Sequence, residues 1–271
     1  MTMTETVSSY FLRRVPERGA GEVHSVFRSS LNVMAEGFLV HLGGGEATLS
    51  CLGINMDPGR MGALLPRVRP GDRAVFRDGT LRIYDREGVS VIPYREFATV
   101  PLELPRCSPP PPSLLRALEA LGLEDRVGIP VDSRLETALA TLRQPSPPED
   151  RLAETIGFLA GRGKGLTPSG DDILMGYGAG LWAWGEPGPF CHAMEKVLRS
   201  QRTTDVSAAY LAAVREGCAN QDFCQLLQAA GAGEEATFPA LLETISRHGH
   251  TSGWDSLLGL RTAVQAIPPA T

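Results

Sequence analysis

From Gly37 to Ile92 the chain shows short apolar runs broken by glycine, proline and aspartate, the pattern of brief strands joined by turns. Gly37-Phe-Leu-Val-His-Leu42, the flexible Gly43-Gly44-Gly45 and Ala47-Thr-Leu-Ser-Cys-Leu52 predict a hairpin. Pro70-Gly71-Asp72 opens a second meander, in which Ala74–Phe76 meets Leu81–Tyr84 across Asp78-Gly79. That dipeptide supplies the positive φ angles of a tight hairpin turn. Val89-Ser-Val-Ile92 follows Glu87-Gly88 as a third strand. Strands this short and this closely spaced predict a small barrel or sandwich.

The period changes after Ser108-Pro-Pro-Pro-Pro-Ser113, a stiff extended connector. Ser146-Pro-Pro-Glu149 reads as a helix start leading into Leu152, Ile156, Phe158 and Leu159. Further helices are predicted over roughly 170–184, 189–200, 204–216, 221–230, 237–247 and 254–266. Val206, Tyr210, Ala213 and Val214 recur at three- and four-residue spacing, the stripe of a packed helix. The expected fold is α+β: a β-rich N-terminal domain (1–107), a proline-rich connector with a helix (108–147) and an all-helical domain (148–271).

Composition adds exclusions. With 42% hydrophobic and 21% charged residues over 271 positions the chain can bury a core. Net charge is −5 with no basic run, so neither nucleic acid nor an anionic membrane is the expected partner. Lys164 and Lys196 are the only lysines, an imbalance that codon bias explains. Five scattered cysteines without a C-x-x-C fit reduced thiols. The first residues carry no apolar stretch of signal-peptide length, and the longest apolar run, Ile173 to Trp184, is too short to span a bilayer. A cytoplasmic location is expected.

Thirty glycines are not spread evenly, and the densest group carries the chemistry. Gly161-Arg-Gly-Lys-Gly-Leu-Thr-Pro-Ser-Gly-Asp-Asp172 runs straight into the apolar stretch Ile173–Trp184. Its glycines let the main chain approach a ligand, Thr167 and Ser169 offer hydroxyls, and the N–H groups of a helix start favour an anion. The segment is neither a Walker A loop nor a dinucleotide fingerprint, lacking the upstream glycine of one and the preceding strand of the other. Ordinary capping by Ser169, with the two aspartates favouring the helix dipole, is the plainer alternative.

A second segment repeats the spacing. Ser169-Gly170-x-Asp172-x-x-x-Gly176 matches Ser252-Gly253-x-Asp255-x-x-x-Gly259, each ahead of an apolar helix. Gly176 and Gly259 would permit close helix contact, and the two Ser-Gly loops are expected to face one another; two unrelated capped helices are the alternative. Between them, Thr203 or Thr204 caps a helix whose Thr204 and Ser207 share an edge and can line the same pocket.

Together these segments resemble a bacterial family long labelled a domain of unknown function and described as carboxylases. Its members include a subunit (AllH) of the oxamate carbamoyltransferase of anaerobic allantoin degradation. The resemblance rests on Gly161-x-Gly163-x-Gly165-Leu-Thr-Pro-Ser-Gly-Asp-Asp172, on Thr204-x-Val206-Ser207 with Leu211, and on Gly249-His-Thr-Ser-Gly-x-Asp255 with Gly259. Val23-His-Ser-Val-Phe27 and Leu31-Asn32 form a weaker N-terminal match. Lys164 and Arg162 depart from the family pattern, so neither inherits a catalytic role.

The resemblance implies carbamoyl transfer between carbamoyl phosphate and a small amide such as oxamate, within an enzyme that includes other subunits. The substrate-binding candidates are Gly163, Gly165, Thr167, Ser169, Gly170, Asp171, Thr204, Ser207, Thr251, Ser252 and Gly253. The first loop would hold the phosphate, and Thr251, Ser252 and the Gly253 amide a second anionic group. His250, Asp172 and Asp255 are the catalytic candidates. His250 would act as general acid–base, since imidazole titrates near neutrality, and a surface turn is its alternative. The aspartates orient donors or bind Mg²⁺ with water; no other cofactor is implied. An ATP-dependent carboxylase or ligase and a non-catalytic subunit are the rival readings.

Overall fold

The structure, a computed structural model, describes residues 4–45, 48–107, 109–200 and 202–267. The chain forms two compact units, Met1–Glu103 and Leu104–Thr271.

The first unit contains β1 (Thr6–Ser8), α1 (Ser9–Arg14), β2 (Arg18–Val26), β3 (Ser30–Ala35), β4 (Phe38–Gly44), β5 (Gly53–Met56), α2 (Pro58–Leu64), β6 (Arg73–Arg77), β7 (Thr80–Asp85), β8 (Gly88–Ile92) and β9 (Ala98–Val100). One nine-stranded sheet results, in the order β8-β7-β6-β2-β3-β4-β5-β1-β9, curled into half a barrel. One face packs a core of Val23, Leu31, Val33, Val40, Leu42, Ile54, Phe76, Leu81 and Ile83, with Phe11 and Tyr94 in edge-on ring contact at 5.1 Å. The turn between β6 and β7 has positive φ at Asp78 (52°) and Gly79 (75°), as the dipeptide requires.

The hairpin expected over 37–52 is not formed. β4 pairs in parallel with β5, which begins only at Gly53. Ala47 lies outside the described residues. Leu49, Cys51 and Leu52 are buried in a non-strand segment that returns the chain to the starting end of β4, the path a parallel neighbour needs. A turn there is closed by Gly53 N–H on the Ser50 carbonyl at 3.0 Å. Two short helices also interrupt the strand pattern: Ser8 caps α1, and Asp57 with Pro58 at the first helical position starts α2.

The second unit is helical: α3 (Pro112–Glu119), α4 (Ser133–Leu142), α5 (Glu149–Leu159), α6 (Ser169–Trp184), α7 (Pro187–Leu198), α8 (Asp205–Arg215), α9 (Gln221–Ala232), α10 (Phe238–Ser246) and α11 (Ser252–Ala266). Leu104 and Cys107 are tied into it through the Gly217 and Ala183 carbonyls. Ser108, at the start of the proline run, lies outside the described residues. α5 starts on Pro148 without a side-chain cap, so Ser146 does not have that role; Glu149 and Asp150 in the first turn favour the helix dipole instead. α6 and α11 are buried nearly all round, as central helices must be. Among the described residues no helix is long and apolar enough to cross a membrane.

Candidate functional site

α6 and α11 run side by side in the same direction at backbone contact. A Cβ built on Gly176 would stand 1.8 Å from the Ser256 carbonyl oxygen, and one on Gly259 1.9 Å from that of Ile173. Only glycine fits either position, and the exchange is reciprocal. The preceding turns repeat it: a Cβ on Gly170 would meet the Leu159 carbonyl at 2.0 Å, and one on Gly253 that of Ile245 at 2.0 Å. Gly170 N–H donates to the Arg162 carbonyl at 2.8 Å and Gly253 N–H to that of His248 at 3.1 Å. The two motifs are therefore matching halves, α5–loop–α6 and α10–loop–α11, whose helix N-termini converge.

At that convergence the side chains cross over. Ser169 and Thr251 bond Asp255, which also accepts the Gly128 N–H at 2.9 Å; Ser252 and Thr167 bond Asp172. Thr167 Oγ1 and Ser252 Oγ lie 2.9 Å apart. The serine of each loop thus serves the aspartate of the other. Burial pushes Asp172 well above the usual carboxylate range; the Ser252 hydroxyl opposes this, and the charges of Asp255 and Asp171 add to it. Burial likewise raises Asp255, against the Gly128 N–H and the Ser169 and Thr251 hydroxyls. One carboxyl oxygen of each, Oδ2, is buried without a hydrogen-bond partner among the described residues. A carboxyl held neutral can donate a hydrogen bond and stand beside an anion without repelling it.

Asp171 faces elsewhere. It accepts the Gly161 N–H at 2.8 Å and the Thr203 hydroxyl, joining the glycine loop to the start of α8. Burial raises its carboxyl too, against these donors and Ser207. Thr204 caps α8 on the Ser207 N–H (3.1 Å) and donates its hydroxyl to the Leu166 carbonyl. Thr204 and Ser207 thus hold the loop from below.

Gly161, Gly163 and Gly165 have φ of 72°, 128° and 91°, which side chains rarely adopt. Gly163, Lys164, Gly165 and Leu166 are exposed, and their N–H groups have no partner among the described residues. Arg162 stacks on Phe158 at 4.3 Å and lies 3.7 Å from Asp132.

His250 is exposed in the turn before α11, not joined to this network. Two positions earlier, His248 accepts the Gly253 N–H on its carbonyl, and its ring forms a separate pair, with Nε2 2.9 Å from buried Asp222 on α9. Burial lowers its pKa, but the Asp222 hydrogen bond and charge outweigh that and leave it raised. Sequence reasoning missed Gly128 and Thr203 as partners of Asp255 and Asp171, and it missed the separate His248–Asp222 pair. Gly128 lies 127 positions from Asp255 in a segment with no periodic signal.

Among the described residues no group of three or more His, Cys, Asp or Glu side chains is placed to hold a metal ion. A groove of about 320 Å³ between α4 and α5, lined by Arg134, Thr137, Arg151, Glu154 and Phe158, contains none of the loop residues.

Two family models match the chain. That of the oxamate carbamoyltransferase subunit AllH covers residues 159–264, spanning both Ser-Gly loops, and that of the AllH family N-terminal domain covers 3–92. No curated protein and no solved structure matches it significantly. With both halves matched, and the first model covering the paired loops, the chain belongs to the AllH family, that of a subunit of oxamate carbamoyltransferase.

Proposed function

We propose that the chain takes part in carbamoyl transfer between carbamoyl phosphate and a small amide such as oxamate, as one subunit of a multi-chain enzyme. The observation that carries this reading is the crosswise Ser–Asp pairing where the N-termini of α6 and α11 converge. Two helix dipoles favour negative charge at one point. The exposed N–H groups of the glycine loop and the Thr167 and Ser169 hydroxyls take the phosphate; Thr251, Ser252 and the Gly253 amide take the carboxylate of the acceptor. A neutral Asp172 donates toward the carbonyl oxygen on which charge develops. His250, being exposed in the adjacent turn, is positioned to exchange a proton with solvent.

The test is the forward reaction with carbamoyl phosphate and oxamate, using the chain alone and then assembled with its partner subunits. Hydrogen bonds to charged groups contribute about 1.5–3 kcal/mol, so Ser169→Ala and Ser252→Ala should each lower kcat/KM roughly 10- to 100-fold with the circular dichroism spectrum retained. Full activity in both folded variants would reject the assignment.

A non-catalytic role has one observation in its favour: Asp171, Thr204, Ser207 and Asp255 already have internal partners, as loops that only pack helices would. Turnover by the lone chain would exclude it. Turnover that requires ATP would instead favour the ligase reading.

A further inference from the structure

The groove between α4 and α5 encloses about 320 Å³. Small-molecule sites span about 300–1,000 Å³, so this one has room for a small ligand only. Ala138 and Phe158 supply apolar walls. Thr137 and Thr141 line it as well, but their hydroxyls donate to carbonyls one turn back, those of Ser133 at 2.7 Å and Thr137 at 3.1 Å. With their protons engaged, these two threonines offer a ligand no donor.

The charges around the groove do not cancel. Arg151 pairs with Glu154 on its own helix at 3.2 Å, and Arg162 lies 3.7 Å from Asp132. Arg134 is the cation left over. Asp132 acts on it only from beyond ion-pair distance, and among the described residues its side chain has no hydrogen bond. Its guanidinium is stacked on the Phe158 ring at 5.1 Å, and that of Arg162 on the same ring at 4.3 Å. Stacking occupies the face of a guanidinium and leaves its N–H edge free. That edge matches the two oxygens of a carboxylate.

Thr155 lines the groove from α5 at 7% exposure, and its hydroxyl has no partner among the described residues. A buried hydroxyl without a hydrogen bond is unfavourable unless a bound group or water completes it. One uncompensated positive charge, an open guanidinium edge and apolar walls complement an anion of single charge with an apolar body. A phosphate monoester carries nearly two charges at pH 7, and the second would have no counterpart here.

We propose that the α4–α5 groove is a binding site for a small organic monocarboxylate, its carboxylate on Arg134 and its apolar body against Ala138 and Phe158. The groove contains no residue of the Ser-Gly loops, so the site does not depend on carbamoyl transfer there.

Titration of the full chain with benzoate tests this, with benzamide, which has the shape without the charge, and inorganic phosphate as controls. Benzoate should bind saturably, and the two controls at least about tenfold more weakly, the worth of one charge-assisted hydrogen bond. Arg134→Gln should weaken benzoate roughly 10- to 100-fold, whereas Arg199→Gln, at an exposed ion pair on α7, should not. In a chain with ¹³C-labelled threonine methyls, the Thr155 resonance, assigned through Thr155→Val, should move with benzoate. Ser252→Ala should leave that shift in place. Absence of binding, equal binding of benzamide or phosphate, full affinity in folded Arg134→Gln, an unmoved Thr155 methyl, or loss of the shift in Ser252→Ala would each overturn the proposal. The wild-type titrations decide even where a variant fails to fold. Benzoate binding at Thr155 without any carbamoyl transfer would leave this site standing and remove the proposed activity alone.

Discussion

Asp172 is a carboxyl in a place where ionising is unfavourable: buried, close to two other carboxyls, and held by hydroxyls that only partly compensate. Its folded-state pKa is raised, so the unfolded chain releases the proton first and stability declines as pH rises above the unfolded value near 3.8. Asp172→Asn, which keeps the shape and cannot ionise, should therefore raise Tm at pH 8 and change it little at pH 4. An equal Tm for variant and parent at pH 8 would show that the folded chain ionises Asp172 without penalty. At this scale the identity of the paired residues was readable, because Ser169 and Asp172 repeat as Ser252 and Asp255 with identical spacing. Their cross-bonding was not. Which hydroxyl meets which carboxyl follows from two helices packing, and Gly128 and Thr203 join the network across long stretches of chain that no local pattern links.

Close packing of α6 on α11 sets where those side chains stand, and it depends on glycines that contact opposing backbone. Gly176→Ala or Gly259→Ala would drive a methyl group into a carbonyl oxygen and force the helices apart, at a cost of about 3 kcal/mol. Gly188→Ala in α7, where an added Cβ meets nothing within 4 Å, should be neutral or stabilise by less than about 1 kcal/mol. Denaturant unfolding of the three variants checks this; similar midpoints would mean that α6 and α11 are not in backbone contact. The helices were readable as elements because proline and glycine punctuate them and their apolar stripes are long. The short elements were not. β1 and β9 have three residues each, too few to show a period, and α1 and α2 lie inside a region dominated by strand signals. Parallel pairing of β4 with β5 was hidden because Leu49–Leu52 is as apolar as a strand, although it is buried as a connection.

Over the whole molecule the buried titratable groups divide by unit, and they respond to pH in opposite senses. In the first unit His41 has a lowered folded pKa of about 4, so its contribution is complete above the unfolded value near 6.5 and is lost as pH falls toward 4. Between pH 8 and pH 5 that amounts to about 2 kcal/mol. In the second unit His248 is raised by Asp222, so its contribution is complete below pH 6.5 and is lost as pH rises through its folded value; Asp172 acts in the same direction. The exposed ion pairs, such as Lys196–Glu149 and Arg199–Glu195, involve carboxylates that stay ionised from pH 5 to 8 and contribute little anywhere. Acidification should therefore weaken the sheet while it strengthens the helical unit. Native-state hydrogen exchange at pH 5 and pH 8, corrected for intrinsic rates, reads the opening free energy of amides in β3–β4 and in α6–α11 separately. The difference between the two sets should move toward the helices at pH 5, and His41→Gln should remove most of the sheet's share. A difference that stays constant across this range would mean that His41 and His248 titrate alike in the folded and unfolded chain.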